Sequence, residues 1–285
     1  KHNYLVKKVE DLPRVLKEAF YIARRGRPGP VVVDVAKDVF DTKLDYAYPE
    51  SVHLRGYSGE NIGDEREIDA VVEAIRAAKK PLVFAGGGVI LSETADVLQD
   101  IVRRLGAPST ATLLGLGAIP ADEKGFLSFA GMHGSYGANM AIQECDLLLC
   151  VGMRFSDRVT GKVSEFAPHA KIVHFEIDRA ELNKNVAADY RVLGDLSWSL
   201  PILRDKLAAC PDDFAAKFSP WLAHALELEA KHPFGYREEG DAIKPGALIS
   251  KVSSLMGRDA IGVTDVGQHQ MWAALHLRIE EPRTW

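Results

Sequence analysis

From Leu12 to Arg24 the apolar residues Leu12, Val15, Leu16, Ala19, Phe20 and Ala23 recur at three- and four-residue steps, the spacing that lays one stripe along a helix. Gly26-Arg27-Pro28-Gly29-Pro30 ends that helix, and the β-branched run Val31-Val32-Val33-Asp34-Val35 predicts a strand buried on both faces of a parallel sheet. Residues 40–63 mix Tyr, Pro, Gly and charges without a period, which predicts an irregular linker and a domain boundary. From Asp64 onward helix-period and strand-period segments alternate, the signature of a doubly wound parallel sheet. Ile68, Val71, Val72 and Ile75 share one face of a helix over 64–79. Strands are predicted at 81–85, 108–112, 146–151, 171–175 and 190–193. Helices are predicted from Ser92 as N-cap through 104, over 137–144, after Asp178, and from Gly194-Asp195 through 209. A further helix is expected over 211–231, an irregular charged stretch over 232–244 and a helix over 245–256. A buried strand over 260–263 then delivers Thr264-Asp265-Val266-Gly267 at its carboxyl end.

The pattern divides the chain into a complete α/β domain at 64–209, doubly wound and Rossmann-like, with partial α/β segments at 1–50 and 245–285 and linkers at 51–63 and 210–244. A chain of 285 residues, 47% hydrophobic and 26% charged, can bury a substantial core. Its formal net charge of -5 is mild and its basic residues are scattered, so neither a nucleic acid nor an anionic membrane is the expected partner; a small molecule is. No apolar run approaches the roughly 20 residues that cross a bilayer. The opening Lys1-His2-Asn3-Tyr4 has neither a signal-peptide core nor a transit pattern, so any targeting segment is expected outside this sequence. Cys145, Cys150 and Cys210 are an odd count without zinc spacing, which predicts reduced packing residues and a cytoplasmic or organelle-matrix setting. No metal site is predicted from this chain's own residues.

In open parallel sheets, ligands bind beyond the carboxyl ends of the strands. Four features collect there. Gly86-Gly87-Gly88 follows a strand and either lets backbone approach a pyrophosphate or simply makes a tight strand-to-helix turn. Gly131-Met132-His133-Gly134 pairs glycines with an imidazole and a thioether suited to an aromatic face, although a surface histidine is the plainer alternative. Gly152-Met153-Arg154-Phe155-Ser156-Asp157-Arg158 carries two guanidinium forks that suit a diphosphate, or else a solvated ion-pair cluster. Glu176 and Asp178 end a strand, where an acid accepts from ligand hydroxyls and Asp178 also suits a helix N-cap; Gly194-Asp195 repeats the arrangement. Together the four predict a dinucleotide. Farther on, Val266-Gly267-Gln268-His269-Gln270-Met271-Trp272 fits a diphosphate with an aromatic heterocycle, or a polar helix start.

Arg27-Pro28-Gly29-Pro30 through Lys37-Asp38-Val39, Gly131 to Gly134, Arg154 to Gly161, and Gly267 to Ala274 resemble the catalytic subunits of the acetohydroxyacid synthase family of thiamine-diphosphate enzymes, along essentially the whole chain. The resemblance implies the end of a pyrimidine-binding domain, a whole FAD-binding domain and the start of a pyrophosphate-binding domain. It implies that Arg27, Gly86, Gly87, Thr112, Leu113, Gly131, Met132, His133, Gly152, Arg154, Asp157, Arg158, Glu176, Ile177, Gly194 and Asp195 touch a structural FAD. Val266, Gly267, Gln268 and His269 would lie against thiamine diphosphate, and Lys37, Met132, Asp157, Arg158 and Met271 would line the substrate and inhibitor channel. The family's reaction decarboxylates pyruvate and joins the two-carbon unit to pyruvate or 2-oxobutyrate in branched-chain amino-acid biosynthesis. Its members are homodimers or tetramers with a regulatory subunit. Ser156 departs from the acid of the family motif. The family's activating glutamate and its Gly-Asp-Gly magnesium motif are not matched in this sequence, so no catalytic residue is assigned. The chain by itself is expected to hold FAD, to hold neither thiamine diphosphate nor magnesium, and to be inactive. A flavin-free thiamine-diphosphate decarboxylase or carboligase, and a stand-alone nucleotide-binding module, are the alternatives.

Overall fold

The computed structural model describes residues 1–56, 63–236 and 242–285; the parts of the predicted linkers at 57–62 and 237–241 lie outside the described residues. The chain divides into two compact units, 1–61 and 62–285. In the first, β1 (His2–Val6) pairs in parallel with a later strand across the helix α1 (Leu12–Arg24), whose bounds are those its apolar spacing predicts. That strand, β2 (Val31–Val35), is followed by the single turn α2 (Lys37–Phe40). Val6, Val9, Val15 and Val39 form the core of this unit. The valine run was expected to be buried on both faces, yet Val32 is 62% exposed and Asp34 is exposed, because α1 covers one side of a two-stranded sheet. β1 itself had no counterpart among the predicted elements.

The second unit opens with α3 (Glu65–Ala77), capped by Asp64, whose carboxylate accepts from the Arg66 N–H. Then come β3 (Pro81–Ala85), the short α4 (Gly87–Leu91), α5 (Ala95–Leu105) and β4 (Ser109–Ala111). After them come β5 (Phe126–Phe129), α6 (Tyr136–Glu144), β6 (Leu147–Val151), the single turn α7 (Asp157–Thr160), β7 (Lys171–Glu176) and β8 (Tyr190–Leu193). α8 (Leu196–Ala209), α9 (Phe214–Lys231), α10 (Pro245–Ser253) and α11 (Gln268–His276) complete it. The strands form one parallel six-stranded sheet in the order β5-β4-β3-β6-β7-β8. Counted from the first strand of this unit, that is the doubly wound order 3-2-1-4-5-6, which reverses direction between β3 and β6.

Alternation along the strands feeds two cores. Val83, Ala85, Leu149, Val151, Val173 and Phe175 pack with α3, α5 and α8, while Leu82, Phe84, Leu148, Cys150 and Ile172 pack with α6 and Trp221 of α9. Such strands carry apolar residues on both faces because helices cover both. The three cysteines are free, with Cys145 and Cys150 buried. Among the described residues no helix is long and apolar enough to cross a membrane.

Several expected elements differ. Ser92 does not cap the second helix: its hydroxyl bonds back to the Gly88 carbonyl and ends α4, and α5 starts three residues later behind Thr94. The helix expected after Asp178 is a set of turns; Asp178 accepts from the Ala180 N–H, but Asn183 takes φ 58°, which stops helical propagation. β5 was not predicted. The strand expected at 260–263 is irregular, with Ile261 and Val263 69% and 86% exposed and Gly262 donating to the Thr284 carbonyl. The segment after it nevertheless packs into the first core through Ala274 and Ile279.

Candidate functional site

The first peptide N–H beyond each strand of this sheet except β7 bonds to the neighbouring strand's end. Ala130 donates to Ala111, Thr112 to Ala85, Gly86 to Val151, Gly152 to Phe175 and Gly194 to Glu176, at 2.8–3.0 Å. These five bonds string six strand ends into one rim, roughly 24 Å long at about 4.8 Å per strand spacing. The loops carrying Gly86, Thr112, Gly131, Gly152, Ile177 and Gly194 therefore leave from one edge of the sheet. The deepest point of such a rim is the topological switch, here between β3 and β6.

At the switch the backbones touch. A Cβ on Gly86 would stand 2.3 Å from the Gly152 carbonyl oxygen, and one on Gly88 2.8 Å from the Gly152 Cα. Gly152 takes φ +60° and its own Cβ would meet the Gly88 Cα at 2.9 Å. Gly88 donates to the Gly152 carbonyl at 2.9 Å, so the two glycine loops are fastened as well as close. The tight turn and the backbone platform are thus one object. The β4 loop joins it, since a Cβ on Gly115 would meet the Ala85 carbonyl oxygen at 2.4 Å and one on Gly87 the Leu114 carbonyl oxygen at 3.1 Å.

The second glycine loop meets the arginine loop. The Met132 N–H donates to the Arg158 carbonyl at 2.9 Å, and Gly131, at φ +114°, would set a Cβ 2.4 Å from that same oxygen. Asn139 fixes the loop from behind, accepting from the Gly131 N–H and donating to its carbonyl. Met132 and His133 are left exposed. Asp157 and Arg158 form an exposed pair at 3.6 Å. Arg154 differs: it is exposed, and among the described residues its guanidinium has no hydrogen bond or ion pair. An unpartnered fork beside a glycine platform is fit to bind a diphosphate.

Glu176 is buried at the end of β7, with one carboxylate oxygen accepting from the Ile177 and Asp178 N–H groups. Burial pushes its carboxyl above the usual range, against the pull of those two backbone donors. Its other oxygen lies 3.7 Å from Nε2 of His174, a fully buried histidine whose pKa burial pushes below the usual value despite its bond to the Met153 carbonyl. Asp195 caps α8, accepting from both the N–H and the hydroxyl of Ser197. The capping and ligand readings of an acid at that strand end are compatible, since a carboxylate holds several acceptor sites.

Not all expected residues join this rim. Arg27, in the turn before β2, and Lys37, at the start of α2, belong to the first unit. Val266, Gln268 and His269 stand exposed around the start of α11, while the residues after that helix bond elsewhere, Ile279 accepting from the Ala121 N–H. Among the described residues no group of three or more His, Cys, Asp or Glu could hold a metal ion. Sequence reasoning missed His174 and Asn185, which anchor the arginine loop. A histidine inside the apolar strand Lys171–Glu176 was the available signal.

This fold and rim define a domain class, and residues 68–203 match the family described as the thiamine pyrophosphate enzyme central domain. The central part of the chain is thus similar to the central domain of the thiamine pyrophosphate enzymes. More particularly, all of the chain aligns with acetolactate synthases. It is 40% identical over 286 residues to acetolactate synthase of Mycobacterium bovis, 41% over 287 to acetolactate synthase 1, chloroplastic, of Nicotiana tabacum, and 40% over 291 to the isozyme 3 large subunit of Escherichia coli. These alignments cover 46%, 43% and 50% of the relatives, so the chain spans about half the length of the curated proteins it matches.

Proposed function

We propose that the chain is the FAD-holding portion of an acetolactate synthase large subunit, an enzyme that decarboxylates one pyruvate and joins the remaining two carbons to a second pyruvate or to 2-oxobutyrate. The observation that carries the FAD reading is the fused Gly86-Gly88-Gly152 platform with the unpartnered Arg154 beside it. In this reading Arg154 and the glycine backbone hold the diphosphate, and Glu176 and Asp195 accept from hydroxyls toward the adenosine. Met132 and His133 offer an exposed thioether and imidazole to the ring system. FAD bound here serves as a structural flavin, with no net redox change. Thr112, Leu113 and Ile177 frame the rim.

Val266, Gly267, Gln268 and His269 would meet thiamine diphosphate in the longer protein, and Met132, Asp157, Arg158 and Met271 would line the way to it. The proposed domain plan is a pyrimidine-binding part at 1–50, a FAD domain at 64–209 and a pyrophosphate-binding part at 245–285. Assembly as a dimer or tetramer with a regulatory subunit, and residence in cytoplasm, plastid or mitochondrial matrix, belong to the same proposal.

Purified chain is expected to bind FAD in a fluorescence titration and to release no carbon dioxide from pyruvate. Absence of any flavin response, in fluorescence and in a thermal shift, overturns the assignment of the rim.

A further inference from the structure

The loop that presents Arg154 is held by side chains on either side of it. His174 Nε2 lies 2.9 Å from the carbonyl oxygen of Met153, and Asn185 Nδ2 lies 2.6 Å from that of Phe155. These are the two residues that flank Arg154. One position earlier, Gly152 donates to the Phe175 carbonyl and accepts from the Gly88 N–H. Backbone on both sides of Arg154 is thus fixed to three other elements, while the guanidinium is exposed and unpaired among the described residues. A packing role alone does not account for His174. It is fully buried, its Nδ1 has no hydrogen-bond partner among the described residues, and an aliphatic side chain would fill the strand position without leaving an orphan nitrogen.

A carbonyl oxygen only accepts, so Nε2 must carry a proton. The buried, partnerless Nδ1 then keeps the lone pair, because a second proton there would leave an uncompensated charge in the interior. Phe155 adds its ring against the imidazole at 4.8 Å in an edge-on arrangement, so the hook and the loop also pack.

We infer that His174 and Asn185 are positioning residues that hold Arg154 ready for an anionic group on the ligand, the inference resting on the FAD reading of the rim. Ordering the arm before binding spares the ligand that entropy. The hooks strengthen binding only through Arg154.

The test is a cycle of FAD titrations on the full chain. His174→Leu is expected to weaken FAD about tenfold, the scale of one lost buried hydrogen bond, and His174→Gln, which can still donate, to recover most of that loss. In the Arg154→Ala background His174→Leu is expected to change affinity no further. An equal loss in both backgrounds, or no loss in either, overturns the inference. If unaltered chain ignores FAD, the reading of the rim fails instead, and the hooks are judged separately by hydrogen exchange and nitrogen NMR. Faster exchange confined to 152–156 in His174→Leu, and a neutral His174 with its proton on Nε2 in the unaltered chain, support them. Unchanged exchange, or a proton on Nδ1, overturns them. The NMR measurement stands even if His174→Leu does not fold.

Discussion

Arg154, on the loop after β6, and His174, on β7 beneath it, show how differently two neighbouring residues can be exposed to chemistry. Arg154 faces solvent without a partner among the described residues, so its truncation should leave folding nearly unchanged. Arg154→Ala is expected to weaken FAD by about 1.5 to 3 kcal/mol, the range for a charged hydrogen bond, with an unaltered melting midpoint; flavin fluorescence against calorimetry separates the two. His174 is the opposite case. Its folded pKa lies below the ordinary 6.5, so the unfolded chain binds more protons as the solution acidifies, and stability is complete above 6.5 and lost as pH falls through the folded value. Glu176, raised above 4.5, acts in the other sense: its contribution is complete below 4.5 and is lost as pH rises through the folded value. The histidine's surroundings contain Glu176 and Glu181, with Cys150 and Arg191 opposite it on the adjacent strands. Melting curves are expected to fall from pH 7.5 towards pH 5.5, about one unit either side of the ordinary histidine value, and less steeply in His174→Gln. A slope unchanged by that substitution would remove His174 from the account.

Among elements, the helices and central strands were legible where burial enforces a period. α3 needed its stripe to reach a core, whereas α1 buries Val15, Ala19 and Ile22 and leaves Leu16 and Phe20 of the expected stripe 37% and 67% exposed; β3 and β6 are apolar throughout because helices cover both sides of them. Legibility failed where pairing, not burial, makes the element. β5 is four residues long and reached through a register shift against β4, so no alternation advertised it. The run at 260–263 had strand composition, but Gly262 supplies a single bond to Thr284 in place of a ladder. The candidate site was readable as four loops, since glycines and paired charges after strands are visible in order. The hooks of His174 and Asn185 were not, because 30 residues separate Asn185 from the carbonyl it holds. Asp195 tests an element's end directly. Asp195→Ala should destabilise α8 by about 1 kcal/mol through the lost cap, whereas Asp195→Ser keeps a capping oxygen. Both should weaken FAD if the same carboxylate also serves the ligand, and urea titration with and without flavin resolves the two effects.

For the molecule as a whole, the second unit contains every loop of the rim, so ligand and fold are coupled there. FAD at about 100 times its dissociation constant is expected to raise that unit's stability by about 2.7 kcal/mol. Hydrogen exchange should place the added protection at the carboxyl ends of β3, β6, β7 and β8, and protection confined to α10 and α11 would point to another ligand location. The glycine contact between the β3 and β6 loops reaches beyond binding. Because Gly152 occupies the room a side chain on Gly86 or Gly88 would require, and Gly88 that of one on Gly152, no one of the three can be exchanged while its neighbours stay in place. Evolutionary drift through this corner would need coordinated backbone retreat on two loops, so this part of the crevice should be the slowest to change, whatever happens to the charged residues around it.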